Sequence, residues 1–150
     1  MTTMIPYAEL PDYVGKDLGY TDWFEITQER VNQFADAADD HQWIHTDPER
    51  AADGPFGGAI AHGFLTLSLL IPLQTELFDV DGVTTKVNYG LDKVRFISPV
   101  KVGAKIRATA VIAEANEVPG GTQLVIDVTI EIEGGSKPAV VARSLQRFYA

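Results

Sequence analysis

The sequence predicts an α+β domain, a curved antiparallel sheet wrapped around one central apolar helix, with residues 1–150 forming a single unit. Three observations carry this. Apolar residues in the first half recur with helical period, residues 63–78 are apolar nearly all round, and apolar and polar residues alternate in the second half. A sheet with one apolar face needs a cover. The 63–78 segment, about 24 Å long as a helix, is the cover this chain offers.

Taken in order, Val31, Phe34, Ala35 and Ala38 fall on one helical face behind Thr27, whose hydroxyl suits an N-cap, and this helix should stop near Asp39. Asp47-Pro48 is a second helix start, a capping carboxylate followed by proline at the first helical position. Gly54, Pro55, Gly57 and Gly58 end it. The run GFLTLSLLIPLQTELF, Gly63 to Phe78, is the core helix, with a kink expected at Pro72. After Gly82 the period becomes two. Ile106, Ala108, Ala110 and Ile112 form one stripe, and Leu124, Ile126, Val128, Ile130 and Ile132 another. Pro119-Gly120-Gly121 joins these strands as a hairpin, Gly134-Gly135-Ser136 leads to a strand ending near Tyr149, and Val94 to Val100 supplies one more. Such short turns imply antiparallel pairing.

Composition narrows the function classes. Twelve Lys+Arg against 21 Asp+Glu leave a formal charge of −9, the wrong sign for wrapping nucleic acid non-specifically. The absence of cysteine excludes disulfides, thiolate metal sites and a cysteine nucleophile. The opening residues lack the basic-then-apolar layout of a signal peptide. The most apolar stretch, Ala59 to Leu73, is short and interrupted by His62 and Pro72. The expectation is a soluble cytoplasmic protein without nucleic-acid or membrane partners.

All three histidines, His41, His45 and His62, lie within one window beside Asp39-Asp40, and no other side chain titrates near neutrality. His41 and His45 have the i, i+4 spacing of a metal pair, with His62 or Asp47 as a third ligand. However, Gln42 stands where zinc hydrolases need Glu, so no metal is assigned. Ser68 and Thr66 sit inside the apolar helix without a nucleophile turn and read as packing residues. Asp40 and His45, five apart, would diverge on a helix but converge in a turn, which the sequence favours there. Ala61-His62-Gly63 opens the core helix, whose first N–H groups lack internal partners, and Gly63 has no Cβ to keep a ligand oxygen away. A carboxylate, an imidazole and an anion-stabilising amide suffice to add or remove water beside a carbonyl.

FADAADDHQWIHTDPERA followed by GPFGGAIAHGF resembles the MaoC-like branch of the hot-dog proteins, which includes (R)-specific enoyl-CoA hydratases and the nodulation protein N-like group. The family's Asp and His fall on Asp40 and His45, and its later His-Gly on His62-Gly63. VNYGLDKVRFISPV, Val87 to Val100, resembles the strand after the hot-dog helix. Three motif positions differ: Asp39 stands at the family's Gly, Gln42 at its Asn and Trp43 at its Pro.

The resemblance implies a hot-dog fold, a homodimer joined edge to edge, and hydration of a trans-2-enoyl thioester to the (3R)-hydroxyacyl product without cofactor or metal. Asp40 and His45 become the acid-base dyad and Gly63 N–H the oxyanion donor. Gln42, Trp43, His62 and Phe64 would line the substrate. Charge fits a phosphate-bearing carrier such as acyl-CoA: residues 1–75 hold the whole net −9, whereas Lys86 to Arg107 holds six basic residues against Asp92 alone. Lys93 and Arg95 are the phosphate contacts expected from that stretch. Three rivals are a (3R)-hydroxyacyl-acyl carrier protein dehydratase, a non-catalytic acyl-thioester binding module, and a thioesterase on the same fold.

Overall fold

The structure, a computed structural model, describes residues 2–150. Strand β1 (Thr3–Pro6) and a 3-10 turn over Tyr7–Tyr13 precede β2 (Phe24–Glu25). Helices α1 (Gln28–Ala38), α2 (Trp43–Thr46) and α3 (Pro48–Ala52) follow. Next come α4 (Gly63–Ser68), α5 (Leu70–Leu77) and β3 (Phe78–Asp81). Strands β4 (Thr85–Phe96), β5 (Lys105–Val118), β6 (Gly121–Ile132) and β7 (Val140–Tyr149) complete the chain.

Five strands form one antiparallel sheet in the order β2-β5-β6-β7-β4, while β1 and β3 make a separate parallel pair. Helices α4 and α5 lie in the concave side, where Leu65, Leu69, Leu73 and Leu77 meet the buried stripes of β5 and β6. Ala108 and Ala110 stand in the middle of that stripe and are fully buried. Their small side chains let the helix approach the sheet closely. This is the hot-dog arrangement the resemblance implies.

The expected helix caps form. Thr27 Oγ1 accepts from Arg30 N–H at 3.2 Å, and Asp47 Oδ1 accepts from Arg50 N–H at 3.1 Å. Two expectations need correction. The core helix breaks at Leu69 rather than at Pro72. Proline has no N–H for the carbonyl of residue i−4, here Ser68, and its ring crowds that same carbonyl, so the cost falls one turn upstream. Ser68 Oγ and Leu69 N–H both donate to Leu65 O, at 2.7 and 3.1 Å, which closes the break.

The second correction concerns the strand placed at 94–100, which instead spans Thr85–Phe96. It forms a sheet edge, and its register with β7 slips between Asn88 and Gly90 and again between Leu91 and Lys93. Each slip reverses which side chains face inward. No simple alternation therefore survives for the sequence to reveal.

Candidate active site

Helix α1 ends at Asp39 in the left-handed conformation, φ +59°, the only non-glycine residue at positive φ among those described. Asp and Asn tolerate this region better than other side chains, which explains how Asp can stand where the family motif has Gly. The turn brings Asp40 N–H onto Ala35 O at 3.1 Å and leaves the Asp40 carboxylate exposed. One short helix later His45 is buried. Gln28 Nε2 anchors it by donating to His45 O at 2.8 Å, tying α1 to α2.

Residues 59–61 run between α2 and the loop before β5. Ile60 N–H donates to Ile44 O at 3.0 Å and Ala61 N–H to Val100 O at 2.8 Å. His45 Nδ1 lies 2.7 Å from Ile60 O. A carbonyl only accepts, so Nδ1 carries the proton and the lone pair of the neutral ring sits on Nε2. His62 Nε2 likewise donates to Asp40 O at 2.9 Å. The His45 and His62 rings stack with centroids 3.9 Å apart, and His62 Nδ1 is buried with no partner among the described residues. Burial pushes the His45 pKa below its ordinary 6.5. The bond to Ile60 and the nearby Asp40 carboxylate pull the other way, and His62 adds to the lowering.

A carboxylate oxygen of Asp40 and one ring nitrogen each of His45 and His62 lie within 4.8 Å of one another. These three would be the ligands of any metal here. His41 is outside the group; its Nε2 pairs with Asp36 at 3.0 Å on the surface. The two imidazole planes are inclined by only 24° and stacked, so an ion in the plane of one ring lies off the plane of the other. That geometry suits a stacked pair better than a pair of ligands.

Gly63 is the first residue of α4, and among the described residues its N–H donates to no group of the chain. It lines a cavity of about 330 Å³ with Phe56, Ile60, Thr66, Phe96 and Val100. Asp40 and His45 do not line this cavity; His45 bonds the lining Ile60, and Asp40 bonds His62, the chain neighbour of the lining Gly63. A Cβ on Gly63 would stand 3.1 Å from the Phe96 ring, so the close approach needs glycine.

The remaining sequence-predicted residues divide by position. Phe64 is exposed and meets Phe96 edge-on at 6.0 Å, at the cavity rim. Gln42 caps α2 through its carbonyl, which accepts from His45 N–H at 3.0 Å. Trp43 sits two residues from His45, roughly 200° around the helix, and packs under Arg50, whose guanidinium lies 4.2 Å from the ring. Lys93 and Arg95 pair with Arg143 and Val141 of β7, on the sheet face opposite the one where Phe96 pairs with buried Val140. The structure does not bring them to the cavity. The cation near it is Lys101, whose Nζ lies 3.8 Å from where a Gly57 Cβ would be, beside the lining Phe56. Sequence reasoning counted Lys101 in the basic stretch without singling it out, read Thr66 as a packing residue, and did not single out Phe96.

Among the described residues no helix is long and apolar enough to cross a membrane. The MaoC-like domain model matches residues 10–134. The 3-hydroxyacyl-thioester dehydratase Z of Mycobacterium tuberculosis is 52% identical over 151 residues, covering 100% of both chains. Nodulation protein N of Rhizobium leguminosarum is 46% identical, covering 90% of this chain and 86% of its own. Among solved structures, an unliganded R-hydratase from Pseudomonas aeruginosa superposes with a TM-score of 0.73 at 25% identity, covering 97% of this chain and 86% of its own. A match across most of the sequence, a full-length relative and a shared hot-dog fold lead to one conclusion: the chain belongs to the MaoC-like domain family.

Proposed function

We propose that the chain is an (R)-specific enoyl-CoA hydratase, adding water reversibly to a trans-2-enoyl-CoA to give the (3R)-hydroxyacyl-CoA. Its coarser class, a hydro-lyase of the MaoC-like family, rests on the full-length dehydratase relative and on the R-hydratase fold match. The observation that carries the finer reading is the pairing of an exposed Asp40 carboxylate with a buried, neutral His45, their polar atoms within 4.8 Å. One water hydrogen-bonded to both groups fits that separation.

In the reaction, Asp40 accepts one hydrogen bond from the water and orients it, and His45 Nε2 removes the other proton as the oxygen bonds to C3. The electrons move onto the thioester oxygen, which Gly63 N–H receives at the positive end of α4. The His45 imidazolium then delivers its proton to C2, restoring the neutral ring. Reversal of these steps is dehydration. A dehydratase acting on a carrier-protein thioester would use the same groups and differ in carrier alone.

A homodimer completes this reading. Among the described residues the outer edge of β4 is unpaired, and Tyr89, Leu91 and Phe96 beside it are about half exposed. A second copy pairing edge to edge would cover them.

The test follows loss of enoyl-thioester absorbance with crotonyl-CoA and a longer trans-2-enoyl-CoA, with chiral analysis of the product. Wild type should form the (3R)-alcohol, and Asp40→Asn should lose nearly all turnover while staying folded. Full activity in Asp40→Asn would refute the dyad. Release of free thiol would instead point to a thioesterase.

A further inference from the structure

Beyond the cavity at Gly63, two more open along the seam between α4–α5 and β4/β7. One of about 200 Å³ is lined by Ser68, Ile71, Leu91 and Ser144, and one of about 140 Å³ by Ile71, Gln74 and Gln146. Asn88 and Ile71 border both. The three follow the helix in order, the last two lying between one and three helical turns beyond Gly63.

At the inner wall of the far cavities sits a polar group the hydration chemistry does not use. Gln74, Ser144 and Gln146 are each 4–5% exposed. Gln74 and Gln146 exchange amide hydrogen bonds of 2.9 Å in both directions, and Gln146 Nε2 spends its second hydrogen on Ser144 Oγ at 3.2 Å. Gln146 has therefore used both amide hydrogens. Among the described residues, the second amide hydrogen of Gln74 and the hydroxyl hydrogen of Ser144 meet no acceptor. Each residue lines one of the two cavities. A buried amide pair is a costly way to line a space meant for an alkyl chain, because apolar side chains of the same size would fill it without desolvating polar groups.

Resting on the hydratase reading, we infer that the far end of this seam selects acyl thioesters carrying an oxygen acceptor, a hydroxyl, keto or ether group, beyond the reacting carbons. Ser144 O–H and the free Gln74 N–H supply the donors. Unsubstituted alkyl chains of the same length leave both unpaired and are discriminated against.

The test compares kcat/KM for trans-2-dodecenoyl-CoA, long enough to follow the roughly 16 Å of helix from Gly63 toward Gln74, with that of its counterparts bearing a hydroxyl or keto group at the distal end. The saturated forms are compared for affinity by calorimetry. Wild type should favour an oxygenated chain by about tenfold, the worth of one good hydrogen bond. Gln74→Leu/Gln146→Leu, which removes both amides of the reciprocal pair together, takes away the Gln74 donor and should reduce the preference severalfold, Ser144 O–H remaining. Ser144→Ala, which deletes the hydroxyl donor and also frees the second Gln146 amide hydrogen, should reduce it severalfold and serves if the double variant does not fold. A merely structural amide pair would lower the melting temperature of the double variant and leave the substrate ratio unchanged. That result, or an active wild type with equal rates on both chains, overturns the inference. If no enoyl-CoA is hydrated, the hydratase reading falls, and the calorimetric comparison still decides the binding preference.

Discussion

Gly63 allows its proposed oxyanion role to be separated from packing by two substitutions at one position. Gly63→Ala keeps the N–H and adds a Cβ 3.1–3.3 Å from three atoms of Phe96. Phe96 is 50% exposed and can retreat by a few tenths of an ångström. The crowding costs about 1 kcal/mol, which the better helix propensity of alanine largely offsets. Gly63→Pro adds the same Cβ but deletes the N–H. Proline is favoured at the first helical position, and the preceding His62, at φ −59° and ψ 139°, already has the extended backbone that a following proline requires. Both variants should therefore melt within about 4 °C of wild type.

Their activities should diverge. Alanine narrows the cavity and should lower kcat/KM by about tenfold, since small misplacements of bound substrate are expensive. Proline should lower it by a further 100-fold or so, the worth of one oxyanion donor. The assay is enoyl-CoA hydration alongside thermal melts of all three proteins. Proline and alanine variants with kcat/KM within threefold of one another, both folded, would refute the assignment of Gly63 N–H as oxyanion donor.

The lowered pKa of His45 sets two pH effects. As the proposed base, His45 must be neutral, so kcat/KM for hydration should hold as pH falls through 6.5 and decline only below it; a rate profile whose acid limb lies above 6.5 would contradict this. Because the unfolded chain binds that proton more readily than the folded one, the same group makes stability fall as pH drops below 6.5, which melts at pH 7 and pH 5 would read. Leu91→Glu places a charge beside the free β4 edge. It should give a monomer by light scattering at micromolar concentration, and an unchanged dimer would exclude pairing through that edge. Trp43→Phe, against Arg50 and away from His45 around α2, should leave kcat/KM within about twofold and lower the melting temperature slightly.

Much of this was legible in the sequence because it depends on local chemistry. Thr27 and Asp47 cap helices through bonds three residues away, and the β5 and β6 stripes show their period directly. The clustering of Asp40, His45 and His62 next to the helix start at Gly63 was foreshadowed because motif spacing records a turn and a helix start. What escaped depends on distant partners. The β4 strand hides its period behind two slips in register, and the β1–β3 pair joins segments some 75 residues apart in strands too short to show any pattern. Gln74 and Gln146 are separated by 72 residues, and glutamine is ordinarily a surface residue, so nothing local marks them as buried partners. Lys93 and Arg95 carried the right charge, but which face of a bulged edge strand they occupy is fixed only by the register.

The reciprocal bond between Gln74 and Gln146 also bears on how this protein can change over time. Replacing either glutamine alone strands the other amide in the interior, at a cost of about 1–3 kcal/mol, a sizeable share of a domain's stability. Replacing both with apolar residues strands no amide and leaves only the Ser144 hydroxyl without its partner. Single mutations at either site therefore descend into a fitness valley, and only a paired event or a prior stabilising change crosses it. A lineage carrying this pair should keep both glutamines under random drift, and relatives should show the two positions changing together or not at all.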